Sequence, residues 1–190
     1  MDRIGVESWL KSYEIENYTI NEDLSVDVNG SVSLSNMELK KIPVRFRNVS
    51  GDFICSQNKL TSLLGCPIRV YGVFSCYDNK LHSLEYCPVE VGGSFSCGKN
   101  QLTDLAFSPI RVGGNFNCYN NNLLSSLEGC TLNLGGKINC TINNICESEL
   151  FLINLTPEQI SGYYSSKNLS EKLLGELGEE TVVGTKYKKL

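Results

Sequence analysis

The sequence predicts a solenoid of short, stacked parallel strands, and three observations predict it. Cys55, Cys76, Cys97 and Cys118 recur every 21 residues and Cys140 follows after 22; self-similarity at such a period belongs to repeat architectures. Other residue types keep the same phase. A Gly-rich turn precedes these cysteines, and Asn58, Asn79, Asn100 and Asn121 each follow three residues after one. The third observation is composition: 190 residues, 41% hydrophobic and 20% charged, with 17 Gly and 5 Pro. That suits one domain with a core and excludes a largely disordered chain.

The chain divides into an N-terminal cap over residues 1–27, a solenoid over 28–146 and a C-terminal segment over 147–190. In the first part, Val6, Trp9, Leu10 and Tyr13 stand at helical spacing, which predicts a short amphipathic helix with Trp9 packed on the first coil. Tyr18-Thr19-Ile20, Ser25-Val26-Asp27-Val28 and Val32-Ser33-Leu34 then alternate as strands, and Asn29-Gly30 predicts a hairpin turn between the last two.

Copies of the repeat start at Val49, Val70, Val91, Val112 and Leu134. A degenerate copy from Val28 keeps Gly30, Val32, Leu34, Leu39 and Ile42 in phase, so about six coils are expected up to Cys146. Gly92-Gly93 and Gly113-Gly114 supply turns where the backbone approaches its neighbour closely. Phe95-Ser96-Cys97 and its equivalents alternate apolar and polar, which predicts a strand with one buried face. The repeated Asn predicts a buried amide ladder bonding the main chain of adjacent coils, a structural role, since an amide performs no acid–base chemistry alone. Leu60 and Leu63, with their equivalents, turn inward, and Cys66-Pro67, Cys87-Pro88 and Ser108-Pro109 predict an extended return segment. The extra residue of the fourth copy falls near Leu123-Leu124.

After Cys146 the period stops. Thr156-Pro157-Glu158-Gln159 has the order of a helix start, predicting a helix from about 157 to 165, and Ser170 caps a second carrying Leu173, Leu174 and Leu177. The last residues, with Lys186, Lys188 and Lys189, read as a solvated basic tail.

Charge and cysteine usage narrow the function classes. The net charge of −4 leaves no field for nucleic acid or anionic lipid. Residues 1–27 carry seven acids and two bases, whereas the repeats carry seven acids and ten bases. No secretory signal is read at the N-terminus, and no apolar run approaches the ~20 residues of a membrane span, so a cytoplasmic location is expected. Nine cysteines, an odd number, then predict reduced thiols over disulfides. A second cysteine series, Cys66, Cys87 and Cys130, places Ser108 at its missing rung, and Cys146 belongs to neither series. With one histidine, His82, and no closely spaced cysteine pair, no metal site and no cofactor are expected. Catalysis is not expected either, because His82 lies among core leucines and the ladder cysteines should be buried.

The run Phe-x-Cys-x-x-Asn-x-Leu-x-x-Leu resembles the leucine-rich repeat, with Phe and Cys in two of the leucine places. The unit is similar to the short bacterial form, in which a proline-containing extended segment replaces the convex helix. It also resembles leucine-rich-repeat proteins of bacteria and tailed bacteriophages. The departures are Cys for Leu, the insertion near Leu124, and Met37 in place of Asn in the first copy. The resemblance implies a parallel sheet on a concave face, extended convex segments, an N-terminal α/β cap and a C-terminal helical cap.

The outward positions of that sheet, among them Ser56, flank the repeated Phe and Cys. The expected binding residues are Ile54, Ser75, Tyr77, Asp78, Ser96, Asn117, Tyr119 and Asn139. Tyr with small polar residues makes an adaptable contact surface. The function expected is a non-enzymatic protein-binding module. Its phage-like character implies an inhibitor or modulator of a bacterial host protein, such as a defence protein. A structural or assembly component of a larger particle, working through its caps, is the other reading.

Overall fold

The computed structural model describes residues 1–130, 133–141 and the single positions 143 and 162. The expected C-terminal helices, the basic tail and Cys146 lie outside the described residues. The chain is a β-solenoid of about five turns with little helix, its parallel strands about 21 residues apart.

One helix, α1 (Arg3–Ser12), is followed by β1 (Tyr18–Ile20), β2 (Val26–Val28), β3 (Val32–Ser33) and β4 (Phe46–Val49). From there each coil contributes two two-residue strands. These are β5 (Phe53–Ile54), β6 (Arg69–Val70), β7 (Phe74–Ser75), β8 (Glu90–Val91) and β9 (Phe95–Ser96). The series closes with β10 (Arg111–Val112), β11 (Phe116–Asn117), β12 (Asn133–Leu134) and β13 (Ile138–Asn139). Sheet A runs β1-β2-β4-β6-β8-β10-β12 and sheet B runs β3-β5-β7-β9-β11-β13. All pairings are parallel except β1 with β2.

Two features depart from the sequence reading. The extended return after each proline forms a second ladder, sheet A, where one strand per coil was expected. The hairpin joins β1 to β2, pairing Tyr18 with Val28 and Ile20 with Val26. Asn29-Gly30, with Gly30 at φ 148°, instead turns the corner from sheet A to sheet B.

The corner between the sheets explains the glycines. A Cβ on Gly92 would lie 2.1 Å from the Tyr71 carbonyl oxygen, and one on Gly113 would lie 2.1 Å from that of Gly92. Only a residue without a side chain lets successive coils approach this closely.

Inside, every coil repeats one layer. Phe53, Phe74, Phe95 and Phe116 are fully buried, with successive centroids 5.9, 5.4 and 5.1 Å apart and rings nearly parallel. Cys55, Cys76, Cys97 and Cys118 are also fully buried, as are Leu60, Leu63, Leu81, Leu84, Leu102 and Leu105. Each large apolar side chain contributes about 1.5–3 kcal/mol by leaving water, so stability accumulates layer by layer. The insertion is absorbed outside the core: Leu124 is buried and Leu123 is exposed. At the N-terminus the Asp2 carboxylate accepts from the Gly5 amide at 2.9 Å and caps α1. Val6 and Leu10 then join the core, and Trp9 meets Phe46 edge-on at 6.3 Å.

Candidate functional site

Sheet B sets the geometry of the candidate face. Its register pairs Ile54 with Ser75, Ser75 with Ser96, Ser96 with Asn117, and Asn117 with Asn139. Five expected residues therefore form one continuous row, each beside a buried Phe or Ile. Ser33 extends the row into the first coil opposite Ile54; the degenerate copy hid this position. Asn139 is exposed and the other four are half-buried.

Two residues further along each coil, past the buried Cys, stand Ser56, Tyr77, Gly98 and Tyr119. Tyr77 and Tyr119 are two coils apart, yet their ring centroids lie 5.8 Å from each other at 39°. Gly98 makes this possible, because a Cβ there would sit 3.2 Å from Cε1 of Tyr119 and 2.9 Å from its carbonyl oxygen. Burial, and then the neighbouring Tyr77 hydroxyl, push the Tyr119 phenol above its ordinary pKa, so it stays neutral and can donate. Ser56 departs from expectation. It is buried, and its hydroxyl oxygen lies 2.7 Å from that of Ser75.

The next position bends the chain. Gln57, Asp78, Lys99 and Asn120 all take left-handed backbone angles, φ 53–57°, a region that Asn and Asp tolerate better than most residues. The bend aims Asp78 and Lys99 at each other, with Lys99 Nζ donating to the Asp78 carboxylate at 2.6 Å. The same ammonium lies 6.0 Å from the Tyr77 ring centroid, within cation–π range. The carboxylate holds the Lys99 pKa above its ordinary value. Lys99 was not among the expected site residues, though it stands in phase with Asp78.

The asparagine ladder fixes the frame beneath. Asn100 Oδ1 accepts from the Leu81 amide at 3.0 Å, and its Nδ2 donates to the carbonyls of Cys76, Cys97 and Gly98. Asn58, Asn79 and Asn121 repeat the pattern, and Asn143 donates to the Cys118 carbonyl. Among the described residues no buried side-chain nitrogen or oxygen lacks a partner.

The thiols are the remaining chemistry-bearing groups. Burial pushes Cys66, Cys76, Cys97 and Cys118 well above the usual thiol range and Cys87 to about 12. Such groups are protonated at neutral pH and are poor nucleophiles. Among the described residues no three His, Cys, Asp or Glu side chains group to hold a metal ion. Among them, too, no helix is long and apolar enough to cross a membrane. Comparison with protein-family models, curated proteins and solved structures returns no match for this chain.

Proposed function

We propose that this chain is a non-enzymatic protein-binding module of the leucine-rich-repeat kind, with sheet B as its concave, partner-binding surface. The observation that carries the reading is the Tyr77 and Tyr119 pair closed over Gly98, beside the in-register row from Ile54 to Asn139. Tyrosine supplies contact area at low entropy cost, and small amides and hydroxyls adapt their hydrogen bonds. Stacked coils hold these groups on a rigid frame, which lowers the ordering cost of binding. The likeness of the repeat to bacterial and tailed-phage proteins supports a bacterial host protein, such as a defence protein, as the target. The role that follows is a phage-encoded inhibitor or modulator. All described cysteines are free thiols, which supports work in the reducing cytoplasm. The reading requires no cofactor.

The test is a tagged pull-down from bacterial lysate comparing the native chain with Tyr77→Lys/Tyr119→Lys, after circular dichroism shows that both fold alike. A stoichiometric partner captured only by the native chain supports the proposal. A partner kept by the variant but lost when residues 147–190 are removed transfers the role to the C-terminal segment, as in a particle component.

A further inference from the structure

Away from sheet B, the repeat carries a second surface. Ile68, Val89 and Ile110 occupy one phase of the repeat just before β6, β8 and β10, and all three are exposed. Tyr86 and Phe107 stand three residues before Val89 and Ile110, 52% and 66% exposed. Ile68, Tyr86 and Val89 line one cavity of about 400 Å³. Exposed apolar side chains that recur over successive coils are candidates for an interaction surface.

Backbone angles single out the two aromatics. Gly65, Tyr86, Phe107 and Gly129 hold equivalent places in successive coils, and all four have positive φ, at 99°, 67°, 64° and 81°. Glycine meets this requirement without strain, whereas a bulky aromatic does not. Two coils therefore keep a strained aromatic that packs no core, and strain held at an exposed residue points to function.

Charge identifies the occupant. On sheet A the residues beside the apolar stripe are Arg69, Glu90 and Arg111, paired coil to coil. Glu90 bonds Arg69 Nε at 3.2 Å, and Arg111 makes no ion pair with any described residue. A two-fold axis parallel to the strands, passing between β8 and β10, places Glu90 of each copy opposite Arg111 of the other. The same operation lays Val89 against Ile110 and Tyr86 against Phe107, so the Phe107 ring meets the cavity wall formed by Tyr86 and Val89. The surface is self-complementary in charge, as an isologous interface requires.

We propose that the chain forms an antiparallel homodimer through this stripe, with Tyr86 and Phe107 as its anchors. The interface leaves sheet B free, so it is independent of the partner-binding proposal.

Light scattering and sedimentation equilibrium on the full chain test it. The native protein should reach twice 21.1 kDa at or below about millimolar concentration, the weak end of specific association. Phe107→Gly and Tyr86→Gly should each weaken association about tenfold or more, while raising the unfolding midpoint of the monomer because backbone strain is relieved. Glu90→Arg and Arg111→Glu should each weaken it by placing like charges opposite, and Glu90→Arg/Arg111→Glu should restore it. A native chain that stays monomeric overturns the proposal. So does a dimer that the glycine variants leave intact.

Discussion

The Asp27 carboxylate on β2 holds the Arg47 guanidinium on β4, with Nε donating at 3.1 Å and Nη2 closing the second bond. The same carboxylate accepts from the Asn48 amide and side chain at 3.1 and 2.8 Å, and from Asn21 Nδ2 at 3.0 Å. These bonds tie the N-terminal hairpin to the first full coil at the β-bulge between Val26 and Asp27.

The Arg47 bonds lead in holding the Asp27 pKa at about 2, against an ordinary 3.8. A depressed carboxyl contributes stability above its unfolded pKa and loses it as pH falls, here between about 4 and 2. The shift corresponds to about 2 kcal/mol for a largely covered group. Asp27→Asn should therefore cost about that much at neutral pH and flatten the acid limb of stability, measured by urea unfolding from pH 7 downward.

The buried thiols act at the other end of the pH scale. Their ordinary value is 9.0 and burial raises it in the fold, to about 12 for Cys87. A raised folded pKa gives stability that is complete below the unfolded value and declines as pH rises through the window above it. Stability should hold up to about pH 8 and fall steeply above about pH 9, with slow native-state reaction toward a thiol reagent. Rapid labelling of several thiols at neutral pH would contradict the layer geometry.

At the corner between the sheets, side chains accept from the next coil's amide. Ser31 Oγ accepts from Asp52, Asp52 Oδ1 from Val73, Ser94 Oγ from Asn115, and Asn115 Oδ1 from Lys137. Val73 interrupts the series because it has no acceptor for the Ser94 amide. Val73→Asn should complete it and stabilise the chain by about 1 kcal/mol, a typical net hydrogen bond, read as a higher urea midpoint with unchanged slope.

Removing an amide from the ladder should do the reverse. Asn100→Ala strands the buried Leu81 amide, while the carbonyls of Cys76, Cys97 and Gly98 keep their bonds from Asn79 Nδ2, Asn121 Nδ2 and the Asp78 amide. A buried polar group left unpaired costs about 1–3 kcal/mol, so a loss within that range is expected. Hydrogen exchange should show the damage concentrated in β7 and β9, on either side of the gap.

The solenoid was legible because Phe95-Ser96-Cys97 and its copies combine a strand alternation with a fixed period. Sheet A was not, because Arg69-Val70 and its equivalents offer one buried residue each and no alternation to read. The row from Ile54 to Asn139 followed from phase. The closeness of Tyr77 and Tyr119 did not, since it depends on what Gly98 lacks. Ser56 misled because the sheet curls its hydroxyl onto Ser75. The strain at Tyr86 and Phe107 was written in their alignment with Gly65 and Gly129, but only backbone angles reveal why that column favours glycine.

The coil-to-coil backbone bonds join residues about one period apart, as from Gly93 to Gly72, from Gly114 to Gly93 and from Phe53 to Val73. Among the described residues no backbone bond skips a coil, and the Tyr77 and Tyr119 pair is a side-chain contact across one coil, so the backbone behaves like a zipper. A fault weakens its two neighbours and fades beyond them. Opening begins where a coil has a neighbour on one side only, and the interior coils that carry Tyr77, Gly98 and Tyr119 are the last to come apart.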